Sequence, residues 1–180
     1  MELKPADLIF TRNEKSWLGP AIRWFTRSRN EAPTWTNHTA GIGLTGDTVI
    51  EALWTVQETG WSEWERQTER FQVWRHTRIP DISRQIIAVE ARQYVGKHYG
   101  WWKLGGHLID GMLSKIIGRD VYLIRPLFFM KDYPICSWVW AYAYSKVGLR
   151  FGCEPDCADP DTQHDYVANS HEWIKVFEKG

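Results

Sequence analysis

The chain has no excess of charge of either sign. Lys plus Arg and Asp plus Glu both number 22, so no surplus of basic residues stands ready to neutralise a phosphate backbone, and nucleic acid is not the expected partner. No apolar run reaches the roughly 18 residues that would suggest a membrane-spanning helix. The opening MELKPADLIF lacks the charged start and long apolar stretch of a secretory signal. Cysteine is scarce at three, an odd number that leaves at least one thiol unpaired within the chain. Together these absences make a cytoplasmic protein with reduced thiols the simplest expectation. Oligomeric state is not legible.

Tryptophan, by contrast, is abundant. Twelve indoles in 180 residues are hard to hide in one core, because each buried N–H needs an acceptor. Some are therefore expected to line a groove suited to sugars, acyl chains or peptides. The length fits a single domain over 1–180, and 43% hydrophobic with 24% charged residues is a globular composition.

Periodicity yields an α+β arrangement. DLIF at 7–10 is a first strand. A helix is expected over 16–27 and a loop over 28–37. HTAGIGL at 38–44 and TVIEALW at 48–54 form a hairpin about a turn at Gly46-Asp47, with Leu44 and Val49 close to opposite. The charged stretch 58–70 reads as a loop with a helical turn, and FQVWRHTRI at 71–79 as a further strand ended by Pro80. Ile82, Ile86, Val89 and Val95 mark the apolar face of a helix. A helical stretch is expected near 107–117, and a strand or buried loop over 121–129. A helix over 136–147 has Val139, Ala143 and Val147 on one face. There Trp138 and Trp140, two apart, are not expected both to point inward. The acidic segment 154–165 is read as irregular, and 172–177 as a last strand.

The chemistry gathers at Cys136. Pro134 precedes it by two, and the periodic run begins right after it, which puts the sulfur in the first turn of a helix. Free N–H groups and the helix dipole there favour a thiolate and an incoming oxyanion. A buried, inert cysteine is the alternative on this feature alone. His38 shifts the balance. It begins a strand followed by Thr39, Ala40, Gly41 and Gly43, small residues that let another element approach closely. An imidazole is what a catalytic thiol needs as base and acid. Glu51 on the next strand is placed to orient the second ring nitrogen.

PADLIFTR, NHTAGIGL, VIEALW, YPICSWVWAYAYSKVGL and DPDTQHDYVANSHEW, in that order, resemble the motifs of the circularly permuted NlpC-type papain-like hydrolases, the YiiX-like group. The resemblance implies a papain-like fold in which an antiparallel sheet packs against the nucleophile helix. It also implies a cysteine peptidase or amidase with Cys136 as nucleophile, His38 as base and Glu51 as orienter. GKHYGWWKLGG resembles the segment that carries the family's oxyanion-site tyrosine. That points to Tyr99, with Trp101 and Trp102 as an aromatic substrate wall; packing is the other reading of all three. Trp138 stands where the family often has Glu, which bears on substrate rather than on the triad. A small peptide or acyl-amide is the implied substrate, with cell-wall peptides the first guess. Acyl transfer or lipid-amide hydrolysis on the same fold is a second possibility, and a non-catalytic binding module a third. No cofactor is called for. A zinc site from Cys153, Cys157, His164 and His171 is disfavoured by its loose spacing. His76, His98 and His107 are expected at the surface, as are Arg27, Arg29 and Lys97.

Overall fold

The computed structural model describes residues 2–12, 35–98, 109, 113, 117 and 135–180. Six strands form one sheet: β1 (Leu8–Thr11), β2 (His38–Ile42), β3 (Thr48–Ala52), β4 (Val56–Gly60), β5 (Phe71–His76) and β6 (Trp173–Lys179). Their order is β4-β3-β2-β1-β5-β6, and every neighbouring pair is antiparallel. The helices among the described residues are α1 (Trp61–Gln67), α2 (Asp81–Arg92), α3 (Cys136–Ser145) and α4 (Pro160–Asn169).

Alternation along the strands splits the apolar residues between two faces. Leu8, Phe10, Ile50 and Ala52 face α3 and form the larger core with Trp138, Val139, Trp140, Ala143 and Tyr144. Ile9, Ala40, Ile42, Val49, Phe71 and Val73 line the other face, which Trp64 of α1 covers.

Helix α3 is buried on all sides, and both Trp138 and Trp140 are inside, at 3% and 0% exposure. This corrects the expectation that one of them turns outward. Two residues on diverging sides of a helix are both hidden when the helix has neighbours on both. Trp140 lies against the sheet and donates from Nε1 to the Ile50 carbonyl at 3.2 Å. Trp138 stands edge-on to Tyr94, with ring centroids 5.1 Å apart, and donates to Asp156 at 2.8 Å. The close approach of α3 depends on Gly41. A Cβ there would fall 2.5 to 2.7 Å from atoms of the Trp140 ring.

Helix α2 forms where periodicity placed it, but with the opposite face inward. Ile82, Ile86 and Val89 are exposed, and Arg84, Ile87, Ala88 and Ala91 are buried. Small alanines let α2 lie close, and Arg84 reaches Asp7 at 3.3 Å. Asp7 is fully buried and also binds Arg75, at 2.8 and 2.6 Å.

The segment 154–165 is more ordered than its composition suggests. Residues Pro155–Cys157 make a 3-10 turn. Asp159 then caps α4, accepting from the Thr162 N–H at 2.8 Å with Pro160 at the first helical position. The charged stretch 58–70 likewise resolves into the end of β4 and α1. Ile109, Leu113 and Ile117 are helical, as expected of 107–117. The expected helix over 16–27, most of the loop over 28–37 and the apolar stretch 121–129 lie outside the described residues.

Candidate active site

Cys136 is the first residue of α3, with Ile135 in extended backbone as its N-cap. Its side of the helix start is pinned by the segment that follows. Ser137 Oγ donates to the Ala158 carbonyl and Gln163 Nε2 to the Ser137 carbonyl, each at 2.9 Å. The sulfur meets the start of β2, where it accepts from the Thr39 N–H and stands in hydrogen-bonding contact with the His38 ring. Cys136 is 6% exposed and the His38 side chain 16%, so the pair is sheltered with one side open.

His38 is held from its backbone outward. The one hydroxyl proton of Thr36 is shared between the Thr11 carbonyl, 3.0 Å from Oγ1, and the His38 carbonyl, 3.1 Å away, which fixes the entry to β2. Nε2 of His38 lies 3.0 Å from Glu51 Oε2. The hairpin register differs from the expected one by two residues. Ile42 faces Val49 and Ala40 faces Glu51. His38 and Glu51 therefore meet diagonally on one face rather than directly opposite, well within the reach of a glutamate.

The second carboxylate oxygen, Oε1, accepts from the indole N–H of Trp64 at 2.9 Å. Sequence reasoning missed this residue. Trp64 sits in a charged stretch, and the available signal was an indole 13 residues beyond Glu51 that needed an acceptor.

Burial works against ionisation of Cys136. The facing His38 charge, the His38 hydrogen bond and the Thr39 and Ser137 N–H groups outweigh it and hold the thiol below its ordinary range. Burial also works against a charged His38. The Cys136 thiolate and the Glu51 carboxylate more than offset it and raise the ring to about 10. Each group thus favours the charged form of the other.

Tyr99, Trp101, Trp102 and His107 lie outside the described residues, as do Arg27 and Arg29. His76 is buried, at 5% exposure, against Trp173, which corrects its expected surface position; His98 is exposed as expected. His164 is largely enclosed. It stacks on Trp35 with centroids 5.6 Å apart, meets Gln72 at 3.1 Å, and is lowered by burial, then by Lys175, to about 4. Cys153 and Cys157 are half-buried and His171 exposed. Among the described residues no three His, Cys, Asp or Glu side chains are grouped to hold a metal ion, and none of their helices is long and apolar enough to cross a membrane.

No family model and no curated protein matches the chain. Among solved structures it is similar to the crystal structure of the metalloprotein YiiX from Escherichia coli O157:H7, a DUF1105 protein. The TM-score is 0.66 at 18% identity, over 99% of each chain. The chain has the YiiX-like fold.

Proposed function

We propose that this protein is a cysteine hydrolase of permuted papain-like type that cleaves amide bonds, with Cys136 as nucleophile, His38 as acid and base, and Glu51 as orienter. The observation that carries the reading is the His38 ring, in contact with the Cys136 sulfur and, through Nε2, 3.0 Å from Glu51. A chain of thiol, imidazole and carboxylate is the arrangement nucleophilic catalysis requires.

In this reading the thiolate attacks the carbonyl carbon and the carbonyl oxygen gains the charge. The Cys136 N–H, at the first helical position and without an intrahelical acceptor, donates to that oxygen. Collapse breaks the C–N bond, and the leaving amine takes the proton from the His38 imidazolium. An acyl group then remains on sulfur as a thioester. Neutral His38 next takes a proton from water, whose oxygen attacks the thioester. The acid leaves, and the thiolate and imidazolium are restored.

The similar structure is described as a metalloprotein. The described residues here do not fit a resident metal at this site, since no three His, Cys, Asp or Glu side chains among them are grouped to hold one.

One observation favours apolar acyl substrates as a second reading. Leu53 and Trp54, 42% and 74% exposed, form the β3–β4 turn at the end of the ladder where His38 begins β2. The test is incubation with a dipeptide amide panel and an N-acyl amide panel, followed by intact mass. Turnover or an acyl adduct of the wild type, absent in Cys136→Ala and His38→Ala, supports the hydrolase. The preferred panel decides between the readings, and no turnover or adduct with either contradicts both.

A further inference from the structure

We propose that Trp64 is a positioning residue, whose indole N–H fixes the Glu51 carboxylate so that its other oxygen is presented to His38. This rests on the hydrolase reading for its function, but the physical link stands on the geometry alone.

The carboxylate of Glu51 is shared without being discharged. Oε2 lies 3.0 Å from His38 Nε2 and Oε1 lies 2.9 Å from Trp64 Nε1. An indole donates a hydrogen bond but brings no charge. It orients the carboxylate without bringing a charge that competes with His38. A Lys or Arg in that place would form a competing ion pair.

Trp64 is itself held firmly. It is 3% exposed. Its ring stands edge-on to Phe71, centroids 5.0 Å apart, and stacks on Trp61 at 5.7 Å. Ala40, Ile42 and Val49 complete an apolar surround, in which a hydrogen bond to a charged group counts for more than in water. The Trp61 N–H binds the Asp47 carbonyl at 2.7 Å, so the start of α1 is anchored to the β2–β3 turn. The hairpin that carries His38 and Glu51 thus carries the helix that sets the carboxylate. The titratable groups that face His38 are Cys136 and Glu51.

The experiment is a ring titration of His38 by nitrogen-15 NMR in the wild type, Trp64→Phe and a variant with benzothienylalanine at 64. The last replaces the N–H by sulfur and keeps the ring shape. The same proteins are assayed for alkylation of Cys136 by iodoacetamide at neutral pH. Loss of the N–H is expected to lower the His38 ring pKa and to slow alkylation by roughly tenfold, the scale of one hydrogen bond to a charged group. In a Glu51→Gln background the same replacement is expected to change neither. Phe71→Leu, which loosens packing and keeps the N–H, is expected to leave the His38 titration in place. A His38 titration unmoved in a folded N–H-deleted protein overturns the inference, as does an equal effect in the Glu51→Gln background. The ring titration reads the link whether or not the protein turns over a substrate, so failure of the hydrolase reading shows separately, as absent turnover.

Discussion

His38 and Glu51 meet across the β2–β3 ladder on the diagonal, two residues out of direct register, with Nε2 and Oε2 3.0 Å apart. In the proposed mechanism a carboxylate in that place holds the His38 ring in orientation toward Cys136. Glu51→Gln retains the shape and removes the charge. It is expected to lower kcat by about a hundredfold or more, as loss of an orienting carboxylate does elsewhere, with a smaller change in KM. Steady-state kinetics on any substrate that turns over checks this.

The proposed Cys136–His38 pair predicts a pH profile. Cys136 is lowered and His38 raised to about 10, so the active form exists between the two ionisations. Activity is expected to rise on an acid limb that lies below the ordinary thiol range, as the thiolate forms. It is expected to fall on an alkaline limb near 10, as the imidazolium loses its proton. In His38→Ala the rate of Cys136 alkylation should follow an acid limb displaced upward. A profile of kcat/KM across this range measures both limbs.

Gly41 tests the packing of α3, which carries Cys136. A methyl at this position would meet the Trp140 ring at 2.5 to 2.7 Å, and a fully buried indole has little room to move. Gly41→Ala is expected to cost about 1–3 kcal/mol and to reduce Cys136 reactivity by shifting α3. Gly60→Ala, where an added Cβ meets nothing within 4 Å, is the matched control. Denaturant unfolding of the two variants measures the difference.

Asp7 joins two cations inside the fold. It binds Arg75 and Arg84, and Arg84 is only 4% exposed. Asp7→Asn leaves a buried guanidinium without its charge partner and is expected to cost about 3–5 kcal/mol. The effect should appear in thermal melting, with the order of the catalytic variants unchanged.

Much of this was legible in the residues. A short apolar run located β1, and alternation in HTAGIGL with the turn at Gly46-Asp47 located the β2–β3 hairpin. Cys136 fell at the first turn of its helix because a proline and an extended residue precede the periodic run. The failures have physical causes. The apolar stripe of α2 points outward because α2 is seated by Ala88, Ala91 and the Arg84–Asp7 ion pair, which hydrophobic periodicity does not weigh. Both indoles of α3 are buried because it has neighbours on two sides, which one helix cannot announce. Four of the eight described tryptophans are buried, and three of those four, Trp64, Trp138 and Trp140, have acceptors for their N–H groups. Those acceptors lie 13, 18 and 90 residues away, so the need for them was readable and their identity was not.

Ultraviolet absorbance of the Cys136 thiolate, titrated in a Cys153→Ala/Cys157→Ala background with and without His38→Ala, reads the proposed pair without any substrate. The account expects thiolate absorbance at neutral pH in the protein that keeps His38, and its displacement to the ordinary thiol range when the imidazole is removed. A thiol that titrates in the ordinary range in both proteins would contradict it.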